Sequence, residues 1–308
     1  MKIWKRLIKN EKGSAIVLVS LGMVVLLSMS ALVVDVGGLF VTKSHLKKTA
    51  NASVLSGAQE LVKSNSAVTG VVNQILEAHK EKDSLNNLNI STGYEVKVKL
   101  TKEVPLTFSK LLGKASAPVD AVAAAQILSM GRAAGVVPIG VDENVSFDFY
   151  DDSYALLKVD EEEVDTGFFG ILALDGTGAS IYGASLRNGS KSEISVGDII
   201  QAQTGNMAGA TKKEIRDRLD ACSYNGNNFL AHITEDPNCR RLLLVPIYQK
   251  ILDGSQVKEV IIKGFAYFYI TSKKNSKTIT GMFIKKAGTG FTVPGAVERG
   301  AYVIKLVE

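Results

Sequence analysis

The segment KGSAIVLVSLGMVVLLSMSALVVDVGGLF, residues 12–40, decides where the rest of the chain is placed. Residues 15–34 carry no charge, and Asp35 ends that uncharged run. As a helix, such a run extends about 30 Å, which is the thickness of a bilayer core. The apolar part of a secretory signal is usually about 7–15 residues long, so this run is too long for one. We therefore predict a transmembrane helix over residues 14–35 with Asp35 at the membrane edge, and a cleaved signal peptide is the alternative.

The positive charge of the chain is concentrated at its N-terminal tip. Residues 1–12 hold five basic residues and one acidic residue, which leaves 31 basic and 30 acidic residues out of totals of 36 and 31 for the rest of the chain. Basic residues beside an apolar segment tend to stay in the cytoplasm, so we predict a cytoplasmic tip over residues 1–13 and an extracytoplasmic C-terminal part. A nucleic-acid partner is not expected, because that function needs basic groups clustered on a folded face.

Helical periodicity continues beyond the apolar segment. Small or apolar residues recur mostly three, four or seven positions apart between residues 39 and 75, a spacing that places them on one face of a helix. We predict an amphipathic helical stalk over residues 36–85, either as one helix or as two helices with a break near residues 64–69. The spacing fits two arrangements equally: packing on the chain's own outer domain and packing against partner subunits.

The N-terminal residues resemble a known family. They combine a Lys-Gly step at residues 12–13, the apolar run, the sequence VDVG at residues 34–37, and an Ala/Ser-rich helix that contains KKTANASVLSGAQEL. This combination covers about a sixth of the chain and resembles the N-terminal region of Flp/Tad pilus-assembly proteins of the TadE/TadG type. The resemblance implies a single-pass envelope protein that serves a Tad-type secretion and pilus machine, with other pilus-assembly or pilin-like proteins as its partners.

The same resemblance points to a possible processing site at Gly13 and Ser14. Pilin-like precursors are cleaved after a glycine, which is Gly13 here, and Ser14 would become the first residue. Pilins then carry Glu at the fifth mature position, where this chain has Leu18. We therefore expect most of the protein to stay uncleaved, and a minor pilin-like subunit is the alternative. The Asp-x-Ser-x-Ser metal motif that some TadG-type proteins carry is absent from this sequence.

The remainder of the sequence has mostly strand-like patterns. Residues 86–130 contain the alternating GYEVKVKL, a short helical pattern in VPLTFSKLLGK, and APVDAVAAAQIL, which fits a strand better than a helix. Residues 131–308 contain seven runs rich in β-branched and aromatic residues, and TKKEIRDRLDAC interrupts them with a predicted capping box of Thr211 and Glu214. We predict an α+β protein: a small α+β segment over 86–130, then a mainly antiparallel β-rich domain, a sandwich or partly open barrel, with one inserted helix.

Catalytic and metal-binding motifs are missing from the sequence. The histidines His45, His79 and His232 do not stand at zinc-type spacing with one another or with a cysteine. The acidic run VDENVSFDFYDD at residues 141–152 lacks the ligand spacing of a calcium loop. We therefore assign no catalytic, cofactor-binding or metal-binding residue, no cofactor and no small-molecule substrate, and predict a non-enzymatic protein. The alternative from another class is an exported wall-directed hydrolase that uses the same membrane anchor.

Cys222 and Cys239 are the only cysteines of the chain, so there is a single possible intramolecular pairing. The predicted topology places both cysteines outside the membrane, where a disulfide persists. We predict that they form a disulfide. The alternatives are two buried free thiols and a thiol dyad of Cys222 with His232.

Overall fold

A computed structural model describes residues 11–146, 148–150, 155–158, 170–203, 207–222, 232, 236, 239–253, 256–273 and 278–307. Within these ranges the longest element is an N-terminal helix of 48 residues, which passes through Gly37 and Gly38 without a break. The α-helices are α1 (Glu11–Ala58), α2 (Asn65–Ala78), α3 (Ala179–Asn188) and α4 (Ala208–Asp220), and 3-10 turns cover Lys82–Ser84 and Ser109–Leu112.

The strands form two main sheets and a short two-stranded pair. They are β1 (Leu85–Ser91), β2 (Glu95–Pro105), β3 (Ser116–Ser129), β4 (Arg132–Ala133), β5 (Val141–Asp142), β6 (Ala155–Lys158), β7 (Ile194–Ser195), β8 (Ile199–Gln201), β9 (Leu242–Asp253), β10 (Gln256–Lys273), β11 (Thr278–Ile284), β12 (Lys286–Gly288) and β13 (Ala301–Val307). The first sheet has the order β1-β2-β3-β13-β12, the second has the order β5-β9-β10-β11-β6 with β8 on β10, and β4 pairs with β7. Among these pairs, β12–β13 and β5–β9 are parallel and the others are antiparallel.

The first sheet is covered by the C-terminal half of α1 and by α2. Every fourth residue of α1 from Leu46 to Ala58 is fully buried, because a four-residue step returns to nearly the same face of a helix. These residues pack with β2, β3 and α2 in one hydrophobic core. α2 begins where the side chain of Ser64 accepts a hydrogen bond from the backbone N–H of Ala67 at 3.1 Å. The C-terminal half of α1 and all of α2 therefore belong to the same packed unit as the first sheet.

The second sheet is buried on both faces. Along β10, Phe265, Tyr267 and Tyr269 point into one core, and the alternate residues, which include Phe268, point into another. The second of these cores is closed by side chains from α3 and α4. The run GFAYFYI therefore contributes to core packing and does not form an exposed binding surface.

The predicted α+β class is confirmed, with a long apolar N-terminal helix followed by mostly antiparallel sheets. The stretch APVDAVAAAQIL forms β3, as its pattern predicted. The expectation of one inserted helix was wrong, because α3 and α4 both lie between strands of the β-rich part. The capping box was also wrong: α4 starts three residues before Thr211, whose hydroxyl donates to the Met207 carbonyl at 2.9 Å, and Glu214 is paired with Arg187.

Candidate functional site

The N-terminal half of α1 is an exposed apolar surface. Its large hydrophobic side chains between residues 16 and 34 are 47–71% exposed. Among the described residues, α1 is the helix that is long and apolar enough to cross a membrane. At 1.5 Å per residue, its 48 residues extend about 72 Å, more than twice the thickness of a bilayer core. One helix therefore supplies both a membrane-length segment and a segment that packs on the first sheet.

Asp35 joins these two segments of α1 to the loop between β2 and β3. Its side chain is 7% exposed, and its carboxylate accepts hydrogen bonds from the backbone N–H groups of Thr107 at 2.8 Å, Phe108 at 3.1 Å and Ser109 at 2.7 Å. The Ser109 hydroxyl also donates to the carboxylate at 2.8 Å. Free N–H groups at the start of a 3-10 turn favour a negative charge, so Asp35 caps the turn that follows. We call this set of contacts the Asp35 junction.

A second polar contact of α1 lies further along the helix than Asp35, where His45 meets Glu81. Glu81 is 4% exposed and accepts hydrogen bonds from Lys102 Nζ and Ser84 Oγ, both at 2.5 Å. His45 Nε2 of α1 lies 3.4 Å from the same carboxylate. Burial raises the pKa of Glu81, but the hydrogen bonds from Lys102 and Ser84 outweigh that effect and lower the pKa below its usual value. Glu81 therefore holds β2, the turn after α2 and α1 together as an ionised carboxylate.

The predicted stalk packs on its own sheet. Its apolar face is buried there, which favours the first of the two arrangements that the sequence left open. Near the start of the part of α1 that packs on the sheet, Phe40 and Val41 are 75% and 68% exposed, and Lys43, Lys47 and Lys48 are also exposed. A partner subunit that contacts α1 in this region would therefore meet an apolar patch beside a row of lysines.

The cysteines lie at the end of α4 and just before β9. Their Sγ atoms are 2.01 Å apart and their Cα atoms are 5.8 Å apart. Both residues are buried, and His232 Nε2 lies 3.0 Å from Cys222 Sγ. One ligand atom from each of Cys222, His232, Asp236 and Cys239 can be chosen so that all four lie within 4.8 Å of one another. The spacing of these residues in the sequence did not predict this cluster, and the disulfide in the protein's own envelope stays a prediction.

The remaining residues that the sequence singled out have structural contacts or lie outside the described ranges. Asp142 is paired with Lys250 Nζ at 2.9 Å and accepts hydrogen bonds from Asn144, so it stabilises the start of its loop. Asp151, Asp152 and the acidic run at residues 160–165 lie outside the described residues. Gly13 and Ser14 lie near the start of α1, and their processing stays a prediction.

Residues 13–60 match the family model described as "Tad: Putative Flp pilus-assembly TadE/G-like". The match covers the apolar segment, Asp35 and the part of α1 that packs on the first sheet, and it ends two residues beyond the end of α1. No curated protein and no solved structure matches the chain. The resemblance predicted from the N-terminal sequence is therefore confirmed: this chain carries a TadE/G-like pilus-assembly segment.

Proposed function

We propose that this chain is a non-enzymatic, single-pass component of a Tad-type pilus assembly or secretion system. The matched segment and the membrane-length helix indicate a pilus-related membrane component. The more specific proposal is that the N-terminus faces the cytoplasm and that the β-rich part is held at the outer face of the membrane. The basic tip supports that orientation, since five of residues 1–12 are basic and one is acidic.

The observation that carries this proposal is the continuity of α1. The helix runs from an exposed apolar half into a half that is buried against the first sheet, and the Asp35 junction lies between the two. A tether that only had to keep an enzyme near the membrane would need no such contacts. A rigid connection is what an assembly component needs in order to present a surface at a fixed height and angle.

Buried and half-buried polar contacts of the β-rich part also hold elements together. The guanidinium of Arg218 is buried and donates to the carbonyl oxygens of Leu186 and Arg240, both at 2.7 Å. Arg187 Nη2 of α3 donates to Glu214 of α4 at 2.7 Å. These contacts support a structural role for the charged residues involved. Under the alternative hypothesis of a wall-directed hydrolase, the same residues would be candidates for catalysis.

The topology can be tested with protease added to intact protoplasts. We expect cleavage of the region after Asp35, because the basic tip holds the other side of the helix in the cytoplasm. Protection of that region would contradict the orientation. N-terminal mass spectrometry of the same membrane extract should show mostly uncleaved chain, and a dominant species that begins at Ser14 would favour the minor pilin-like subunit instead.

The assignment to pilus assembly is tested by deletion and complementation. Loss of the chain should abolish Tad-type pili, and expression of the full chain should restore them. Normal pili in the deletion strain would overturn the proposal, whereas loss of a cell-wall cleavage activity with pili intact would favour the hydrolase.

A further inference from the structure

The cluster around the two cysteines contains two side chains that a disulfide does not need. A disulfide uses two sulfur atoms, but the side chains of His232 and Asp236 also converge on the same point. The imidazole is directed at sulfur, since His232 Nε2 is 3.0 Å from Cys222 Sγ, and its ring lies edge-on to the buried ring of Tyr269 with centroids 6.5 Å apart. The sequence places His232, Asp236 and Cys239 at intervals of four and three residues.

Two backbone hydrogen bonds fix this arrangement. The N–H of Asp236 donates to the carbonyl of His232 at 2.8 Å, and the N–H of Cys239 donates to the carbonyl of Asp236 at 3.1 Å. These bonds bring the backbones of His232, Asp236 and Cys239 close together, and one ligand atom from each lies within 4.8 Å of the others. Cys222 joins them from the end of α4, which is itself held by the core.

The donor set is one that zinc prefers. Zn²⁺ binds thiolate sulfur at about 2.3 Å, imidazole nitrogen at about 2.0–2.1 Å and carboxylate oxygen at about 2.0–2.2 Å, usually with four ligands in a tetrahedron. Two sulfur atoms on one zinc lie about 3.8 Å apart, which follows from the Zn–S distance and the tetrahedral angle. Cα atoms 5.8 Å apart allow this separation as well as a disulfide.

We propose that Cys222, His232, Asp236 and Cys239 bind one Zn²⁺ when the two cysteines are reduced. The end of α4 and the start of β9 are then joined in either of two ways, by the disulfide or by a zinc ion. In a chain whose cysteines are not yet oxidised at the outer face, or have been reduced there, bound zinc would still join the end of α4 to the start of β9.

The change from the disulfide to the zinc site needs two electrons, and a dithiol can supply them. The dithiol gives two electrons and two protons to the Cys222–Cys239 bond, which breaks into two thiols, and the dithiol itself becomes a disulfide. When Zn²⁺ binds, each cysteine thiol releases its proton to water and coordinates as a thiolate. The disulfide form of that reagent reverses these steps: it takes two electrons from the two thiolates, which join as the Cys222–Cys239 disulfide and release the metal, and with two protons from water it becomes the dithiol again.

The test uses the full chain in detergent, reduced with a phosphine and titrated with Co²⁺ as a spectroscopic substitute for Zn²⁺. We expect one Co²⁺ per chain, with the visible bands of a tetrahedral site and a thiolate-to-metal charge-transfer band, and loss of both on addition of Zn²⁺. The oxidised chain should show neither band. A reduced chain without the charge-transfer band would overturn the proposal.

Two variants test the ligands that a disulfide does not need. His232→Ala and Asp236→Asn should each weaken Zn²⁺ binding to the reduced chain about tenfold or more, measured by competition with a chelating dye. His79→Ala and Asp83→Asn are the matched controls, because they change the same residue types outside the cluster, and they should bind as tightly as the parent chain. Unchanged affinity in both test variants would refute the site.

Discussion

The two main sheets are buried by different kinds of side chain. The first sheet meets α1 through mainly aliphatic side chains, several of them small, and its core includes Ala50, Ala58, Ala121, Ala123 and Ala125 beside Val and Leu residues. The second sheet is packed with large aromatic side chains, of which Tyr248, Phe265, Phe268, Tyr269 and Phe283 are almost fully buried. Small residues let a helix approach a sheet closely, whereas aromatic residues fill a wider space between layers. The difference indicates that the first sheet holds a helix in place and that the second supplies the bulk of a core.

The buried and half-buried carboxylates also differ between the regions of the two sheets. In the first region, the carboxylates of Asp35 and Glu81 connect α1 to loops and strands of the sheet. In the second region, Asp175 and Glu214 connect α3 to its neighbouring segments. Polar contacts of the first kind fix α1 on the first sheet, and those of the second kind fix α3 beside the second sheet.

The largest expected effect is on the aromatic core. Phe268→Ala should reduce the free energy of unfolding by about 4 kcal/mol, because the removed ring leaves a cavity between β10 and the helices. Denaturant titration of the detergent-solubilised chain, followed by far-ultraviolet circular dichroism, measures the change. Phe291→Ala is the control, since this ring is 53% exposed, and should cost less than about 1 kcal/mol. Equal effects would contradict the contrast between a core and a surface ring.

The next effect concerns the Asp35 junction. Asp35→Asn removes the negative charge that three backbone N–H groups share, so the amides of Thr107, Phe108 and Ser109 should exchange hydrogen about tenfold faster. Hydrogen-exchange mass spectrometry of the loop measures this rate. Asp120→Asn removes a carboxylate that accepts from Thr101 on the same sheet, and it should leave the loop amides unchanged. Unaltered exchange in Asp35→Asn would show that the junction does not hold the loop.

A smaller, pH-dependent effect is expected at Asp175. Partial burial raises the pKa of this carboxyl, but hydrogen bonds from Ser185, Ser190 and two backbone N–H groups outweigh it and lower the pKa from 3.8 to about 2. A lowered pKa means that the stabilisation is complete above the unfolded value and is lost as the pH falls from about 4 to about 2. Asp175→Asn should therefore remove on the order of 1 kcal/mol at neutral pH and flatten the acid dependence of unfolding. Parallel pH profiles for parent and variant would exclude this role.

The smallest expected effect tests the close approach of α1. A β-carbon at Gly57 would lie 2.8 Å from Val72 Cγ2, which is closer than two carbon atoms pack without displacement. Gly57→Ala should therefore destabilise the chain by about 1 kcal/mol, because overpacking exceeds the gain in helix propensity. Gly38→Ala lies on the same helix with no atom within 4 Å and should be neutral or stabilising. A stabilising Gly57→Ala, measured by the same denaturant titration, would show that α2 moves easily away from α1.

The sequence predicted those elements whose signal is local and repeated. α1 is found from its uncharged run and its four-residue spacing, and β3 from its alternation. α3 was missed because ASIYGASLRN combines a glycine, two serines and an asparagine with few strong helix formers, and its position depends on packing and on Asp175. The partners of Asp35 lie 72–74 residues away along the chain, and those of Cys222 at least ten, so no local pattern indicates either site.

The uninterrupted passage of α1 into the first sheet makes the chain a lever. From Asp35 to Ala58 the helix extends about 35 Å, and the sheet moves with it because no flexible linker separates them. A change of about 20° in the tilt of the membrane-embedded part, within the range that such helices adopt, would swing the far end by about 12 Å. If α1 spans a membrane as proposed, a force that tilts its apolar half would displace the β-rich part by this distance, and the Asp35 junction would transmit the force.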